Sequence, residues 1–261
     1  MIKPHKAIAL ESRLRDCRNV RTLGVQPNFC DYSPADAALI RGAAKIYYPT
    51  RLYAPLLNAA GKAIFPSVHN YVCAQDKIKQ TALFKLLGIP HPRTRVFYGR
   101  RSKKTIADHF AYPFVAKIPR GSAMGRGVFL ITDDAALTSY LDLGTPAYIQ
   151  EFFPFERDMR VVVVGRRVVH AYWRIVPPGD FRSNLAQGAA ICLDPVPQAA
   201  LTLALKTAAR CGWNDVGIDI CRHDNRYWVL EANMKYGRQG FSAAGLNYSA
   251  IMENLIEEGV I

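Results

Sequence analysis

Two runs near the C-terminus, Gly217-Ile218-Asp219-Ile220 and Trp228-Val229-Leu230-Glu231-Ala232-Asn233, set acidic and amide side chains into an otherwise apolar β pattern. Residues two apart on a strand share a face, so Glu231 and Asn233 point the same way. A polar turn at Asn225 joins the runs into a hairpin, which can bring Asp219 alongside them. Three converging oxygen-bearing side chains suit a hard cation such as Mg²⁺. Plain strand alternation, with polar residues facing water, gives the same pattern without a site. The hairpin closes a β-rich third of the chain, with further strand signals at 147–152, 160–164 and 168–174. An apolar helix at 197–211 is stopped by Gly212, and residues 248–258 are helical. Antiparallel strands with helices on one side predict an α+β domain.

Upstream, a helical pattern over 74–87 ends at Gly88 with Pro90 beyond it. Strand signals follow at 94–98, 114–118 and 127–131. The last two flank a glycine loop and read as a hairpin, and a helix over 133–141 can be capped by Asp133 or Asp134. Before residue 74 the elements are short: a strand at 45–49, a helix at 52–60 closed by Gly61, and a strand at 63–66. That order predicts a small α/β unit, giving three domains: 1–73, 74–145 and 146–261.

The 261 residues are half hydrophobic, enough to bury a core, so wholesale disorder is excluded. The net charge of +13 predicts attraction to anionic partners. No apolar run approaches the roughly 18 residues of a membrane span, and Met-Ile-Lys-Pro-His-Lys lacks a signal peptide's apolar region. None of the six cysteines stands in a C-x-x-C pair, which argues against a zinc ribbon or a thioredoxin-type site. Reduced thiols in a cytoplasmic protein are the expectation. The six histidines have no metal-ligand spacing.

Four features carry chemistry. The loop Arg120-Gly121-Ser122-Ala123-Met124-Gly125-Arg126-Gly127 lets backbone N–H groups approach a phosphate, with two arginines adding charge. It lacks the G-K-[ST] ending of a P-loop and leads into a strand; a surface hairpin tip explains it equally well. Lys117, four residues ahead of Gly121 among apolar neighbours, suits a phosphate better than a core. Arg174 and the loop Gly179-Asp180-Phe181-Arg182-Ser183-Asn184 offer charge-assisted hydrogen bonds to a phosphorylated intermediate. Ile149-Gln150-Glu151-Phe152-Phe153, followed by Asp158-Met159-Arg160, can hold an adenine at a strand edge with a carboxylate on the ribose, although a core strand reads the same.

Taken in order, these stretches resemble the ATP-grasp superfamily, and within it the RimK-like branch of glutamate ligases. The resemblance runs from about 74 to 233. It is carried by Asp76-Lys77 before a helix ending Leu87-Gly88-Ile89-Pro90, Val115-Ala116-Lys117 before the glycine loop, and Gln150-Glu151-Phe152. The 179–184 loop with Gly188, Gly217-Ile218-Asp219 and Glu231-Ala232-Asn233 complete it. It implies two α+β lobes clamping ATP, preceded by a shortened α/β N-terminal domain. Lys77 and Lys117 would contact ATP, and Gly121, Ser122, Gly125 and Gly127 would close over its phosphates. Gln150, Glu151, Phe152 and Phe153 would line the adenine pocket, and Asp158 would hold the ribose. Asp219, Glu231 and Asn233 would bind Mg²⁺, with Mn²⁺ an alternative. Arg174 would stabilise the transferring phosphoryl group beside Arg182 and Asn184, and Arg160 would meet the acyl substrate.

The implied reaction joins a carboxylate to an amine through an acyl phosphate, releasing ADP. Glutamate or another amino acid would be added to an acidic peptide, a protein or a small-molecule carboxylate, by a dimer or tetramer. The chain departs from the branch in its short N-terminal region and after the metal strands. There it reads Met234-Lys235-Tyr236-Gly237-Arg238 in place of a small Ser-Pro-Gly turn, and the added charge points to an acidic substrate. Two other readings compete. A basic nucleic-acid-associated module would use arginines and aromatics interleaved at 47–53 and 97–101, without a recognised motif. A non-catalytic nucleotide-binding scaffold would not need Asp219, Glu231, Asn233 and Lys117 together.

Overall fold

The computed structural model describes residues 6–122, 126–144 and 146–261. Four three-residue strands, β1 (Ala7–Ala9), β2 (Val20–Thr22), β3 (Lys45–Tyr47) and β4 (Ala63–Phe65), form a parallel sheet in the order β2-β1-β3-β4. Helices α1 (Pro34–Gly42), α2 (Tyr53–Ala59) and α3 (Val68–Cys73) accompany it. Sequence reasoning finds β3, α2 and β4 here and misses β1, β2, α1 and α3, whose short segments carry little periodicity. Helix α4 (Lys77–Leu87) starts three residues later than the pattern suggests. Gln75 takes a left-handed conformation (φ 57°), and the Asp76 side chain accepts a hydrogen bond from the Lys79 N–H as the N-cap.

The second sheet is antiparallel, in the order β5-β8-β6-β7, built from β5 (Thr94–Phe97), β6 (Phe114–Lys117), β7 (Val128–Ile131) and β8 (Ala147–Glu151). Its alternation separates two jobs. Phe97, Phe114, Ala116, Ala147 and Ile149 enter a core under α6 (Ile106–His109) and α7 (Asp134–Leu141), to which the short helix α5 (Gly99–Lys103) contributes no buried residue. Val115, Lys117 and Gln150 point the other way, into a cleft. Asp133 caps α7 by accepting from the Ala136 N–H.

The third sheet is also antiparallel, β11-β10-β9-β12-β13, with β9 (Arg157–Val164), β10 (Arg167–Ile175), β11 (Ala190–Cys192), β12 (Asp215–His223) and β13 (Arg226–Asn233). The expectation of helices on one side is corrected here, because both faces are covered. Val161 and Val163 pack with Ala200, Ala204 and Ala208 of α8 (Gln198–Cys211). Val162 and Val164 pack with Phe241 of α9 (Gln239–Ala243), and with Tyr248 and Met252 of α10 (Tyr248–Glu257), beside Ala9 and Leu14. A strand buried on two faces has no polar face to show, which explains the unbroken valine run.

The N-terminal sheet is anchored to this third sheet through a buried charge. Asp215 is fully buried, accepts hydrogen bonds from Tyr48 Oη (2.7 Å) and Tyr236 Oη (2.5 Å), and has Arg13 Nε 3.8 Å away. The Arg13 guanidinium lies over the Tyr236 ring at 4.4 Å and donates to Tyr248 Oη at 3.0 Å. Among the described residues no helix is long and apolar enough to cross a membrane.

Candidate functional site

Strand register builds the site. Tyr172 lies opposite Arg160, Arg160 opposite Asp219, and Asp219 opposite Glu231, forming one cross-strand row over β10, β9, β12 and β13. Two residues along, Arg174 faces Asp158 on the same side. The acidic and basic residues of this face therefore meet at one spot, at the end of the sheet away from the apolar packing of Val162 and Val164.

Arg160 grips both oxygens of Asp219, Nε on Oδ1 and Nη2 on Oδ2 at 3.1 Å. Arg174 bridges two carboxylates: its Nε donates to Asp158 Oδ1 at 2.8 Å, and its Nη2 contacts Asp158 Oδ2 and lies 3.1 Å from Asp219 Oδ2. Asn233 Nδ2 also donates to Asp219 Oδ2, at 3.1 Å. Burial pushes the Asp219 carboxyl up, but Arg160 and Arg174 outweigh it and hold it below the usual carboxylate range. From the second sheet, Lys117 reaches the same region and is 8% exposed. Burial depresses its ammonium to about 8, against the attraction of Glu231 and with help from the like charge of Lys77. Lys77, the first residue of α4, pairs with Glu231 Oε1 at 3.2 Å and donates to the Ser122 carbonyl at 3.4 Å. The start of α4 is tied to the glycine loop twice more, by Lys77 N–H to the Pro119 carbonyl (2.9 Å) and Arg120 Nε to Asp76 Oδ2 (3.0 Å).

One cleft between the second and third sheets is lined by Lys117, Gln150, Glu151, Phe152, Phe153, Asp158, Arg174, Arg182, Asn184, Asp219 and Glu231. Sequence reasoning named all of these. It assigned no lining role to Val115, Val128, Phe155 and Leu230, apolar residues that also line the cleft. Arg182 is held by Asp180 through Nε (3.0 Å) and Nη2 (2.8 Å), and that bond lowers the Asp180 carboxyl to about 2. Phe153 stacks on His223 with centroids 4.1 Å apart. Gln150 is buried, and its amide donates to Thr94 Oγ1 at 3.0 Å. Ser122, Glu231 and Asn233 line an adjoining chamber. Gly121 (φ 70°) and Gly127 (φ 72°) are left-handed at the ends of the loop, and a Cβ on Gly127 would meet Ile118 at 2.9 Å. Gly125 lies outside the described residues.

Two expected roles need correction. Asp158 does not offer a carboxylate to a ribose: it is 0% exposed and both its oxygens are engaged by Arg174. Arg160 is not free for an acyl substrate, because its guanidinium is committed to Asp219. Both are held in ion pairs with neighbouring site residues.

A divalent ion fits the donors. Asp219, Glu231 and Asn233 offer hard oxygen atoms: Lys77 pairs with Glu231 through Oε1, Asn233 donates through nitrogen, which leaves its carbonyl oxygen available, and Asp219, whose two oxygens already accept from Arg160, Arg174 and Asn233, would exchange one of these bonds for the ion. Among the described residues no three His, Cys, Asp or Glu side chains form a metal cluster, so such a site depends on the Asn233 amide.

A second cavity, about 390 Å³, lies behind the metal-type residues. It is lined by Arg13, Lys235 and Arg238 with Glu11, Asn70 and Tyr71. It shares Glu11, Tyr71, Ala74, Met234 and Lys235 with the chamber that holds Glu231 and Asn233.

Two lobes, each with an antiparallel sheet, closing on a cleft that gathers lysines from one and carboxylates from the other, define an ATP-grasp protein. The chain belongs to the RimK-like ATP-grasp family, whose model matches residues 74–256. Over 192 residues it is 31% identical to the ribosomal protein bS6–L-glutamate ligase of Escherichia fergusonii. That match covers 70% of this chain and 64% of the relative, so the chain spans less than two thirds of that relative's length. In fold it is similar to the RimK domain ATP-grasp protein of Sphaerobacter thermophilus, with TM-score 0.69 and 18% identity over 96% of this chain and 99% of that one. It is likewise similar to the ATP-grasp ligase PsnB complexed with a phosphomimetic variant of its minimal precursor, Mg and ADP, with TM-score 0.63 and 18% identity over 84% and 80% of the two chains.

Proposed function

We propose that the protein is an ATP-dependent carboxylate–amine ligase that forms an amide through an acyl phosphate and releases ADP and phosphate. The observation that carries this reading is the meeting, in one cleft, of buried Lys117 with the in-register Asp219–Glu231 pair and the buried Arg174, with buried Lys77 paired to Glu231 beside it. Lys77, Lys117, Arg160, Arg174 and Arg182 set five cations against the carboxylates of Glu151, Asp158, Asp219 and Glu231, so the acidic side chains are compensated where a triphosphate would lie. Phosphoryl transfer is mostly positioning and charge neutralisation, and needs no nucleophilic Ser or Cys.

In this reading Lys117 and Lys77 hold ATP phosphates under the Gly121–Gly127 loop. The base lies along Gln150, Glu151, Phe152 and Phe153, whose apolar neighbours exclude water. Asp219, Glu231 and Asn233 would hold Mg²⁺, which when bound would supply neutralisation of the charge that develops on the phosphates. Asp158 aims Arg174 at the transferring group and Arg160 fixes Asp219. Arg182 and Asn184, at the cleft mouth, meet the acyl phosphate. The cavity lined by Arg13, Lys235 and Arg238 adjoins the metal-type residues and supports an acidic substrate, such as a peptide or small-molecule carboxylate, with glutamate among the amines to be tried. The homologous bS6–L-glutamate ligase supports that choice.

Nucleotide product analysis tests the reading. The protein is incubated with Mg-ATP and a pool of acidic peptides and amino acids, beside a Glu231→Gln control. ADP that depends on acceptor and on Glu231, with a mass added to the acceptor, is expected. AMP as the product would overturn the acyl-phosphate route. Arg238→Ala is expected to raise KM for an acidic acceptor; unchanged kinetics would remove the acidic-substrate part.

A further inference from the structure

The most basic stretch of the chain lies outside the cleft. Residues 93–104 read Arg-Thr-Arg-Val-Phe-Tyr-Gly-Arg-Arg-Ser-Lys-Lys, six cations with no acid. They form the edge strand β5 and the short helix α5. Arg93 and Arg95 share one side of β5, opposite Thr94, whose hydroxyl accepts from the cleft residue Gln150. The cationic side therefore faces away from the nucleotide cleft. Among the described residues, Arg93, Arg95, Arg100, Arg101, Lys103 and Lys104 form no ion pair.

The two arginines are braced rather than neutralised. Arg93 lies over the Phe110 ring at 4.6 Å and donates to the His109 carbonyl at 2.6 Å. Arg95 lies over Phe97 at 5.2 Å and meets the His109 ring at 2.8 Å. Tyr98, at the junction of strand and helix, is 57% exposed and stands two residues before Arg100, so an aromatic face is available next to the α5 cations in sequence. Arg100, Lys103 and Lys104 also line a surface groove with Leu141 and Pro146, in which Asp142 is the carboxylate.

We propose that this outer face of the first lobe is a docking surface for a single-stranded polynucleotide. Unpaired guanidinium and ammonium groups track a phosphate backbone, and an exposed aromatic ring offers a stacking platform for an unstacked base. An acidic polypeptide would satisfy the charges but has no use for Tyr98. The surface is independent of the ligase reading, since it shares no residue with the cleft.

The test is fluorescence anisotropy with a labelled 20-nucleotide mixed-sequence RNA, from about 50 to 300 mM KCl. The full chain is compared with a variant carrying R100E, R101E, K103E and K104E. A control carries R15E, R166E, K206E and R210E, an equal charge change elsewhere on the surface. Expected is a log K against log salt slope shallower by about 3 in the patch variant, following about 0.7 per lost phosphate contact. The control should keep the wild-type slope. Tyr98→Ala, which leaves the charges intact, should weaken binding about 10-fold. ATP cleavage by the patch variant should be unchanged, which also certifies its fold. Equal loss in patch and control variants would reduce the effect to net charge and overturn the proposal. So would poly-glutamate binding as tightly as RNA, or full RNA affinity in both the patch variant and Tyr98→Ala.

Discussion

Lys117 illustrates how the site works against the stability of the ligand-free protein. Its ammonium is buried beside Lys77, and burial lowers it from 10.5 to about 8 despite Glu231 and Asp219. Between those two values the unfolded chain binds a proton that the folded chain does not, so stability rises with pH across this window. Below pH 8 both states are protonated and the full penalty stands, about 3 kcal/mol at about 1.4 kcal/mol per unit. Lys117→Met keeps the length of the side chain and removes the charge. Urea unfolding at pH 7 should therefore show the variant more stable than wild type, by up to about 3 kcal/mol. The difference should shrink as pH rises from 8 toward 10.5, where other titrating groups cancel between the two proteins. The same substitution should weaken ATP binding about 10- to 100-fold, the loss of one charge-assisted contact. A variant less stable than wild type at pH 7, or a difference that does not change with pH, would refute the argument.

Three further outcomes follow from named contacts. Asp158→Asn should lower kcat about 10-fold or more with little change in KM for ATP, because Arg174 loses its orienting carboxylate; steady-state kinetics checks the split. Gly217→Ala would put a Cβ 2.9 Å from the Tyr236 Cβ and 3.0 Å from the Arg160 Cδ, displacing Arg160 from Asp219. It should cost about 1–3 kcal/mol in urea unfolding and reduce turnover. Asp215→Asn should destabilise by about 3 kcal/mol or more, because Arg13 is left among three tyrosine rings without its counter-charge.

Much of the site was legible because its chemistry is written in short strand segments. Asp219, Glu231 and Asn233 stand at the spacing that a hairpin turns into a cluster, and the period-2 rule sufficed to place them. Lys117 was legible as a charge among apolar neighbours. The roles of Asp158 and Arg160 were not, because both depend on which partner lies across β9. Register is a property of three strands together, and the Arg174–Asp158 and Arg160–Asp219 pairs appear only once β9 is flanked by β10 and β12. The two-sided burial of the third sheet was hidden for a related reason. The Val161–Val164 run announces burial on both faces, but α9, α10 and the N-terminal segments that cover the second face come from opposite ends of the chain. The Arg13–Asp215 anchor joins residues 202 positions apart in a short, aperiodic N-terminal segment. The second cavity inherits its cations from the same arrangement.

In the proposed reaction an acceptor carboxylate attacks the γ-phosphoryl group of ATP before the amine arrives. Oxygen tracing tests it most directly. Acidic acceptors labelled with ¹⁸O in their carboxylates are turned over with Mg-ATP and an amine, and the released phosphate is analysed by mass. One acceptor-derived ¹⁸O is expected in each phosphate, with ADP as the nucleotide product and neither formed by Glu231→Gln. Phosphate without label, or label carried into AMP, would contradict it.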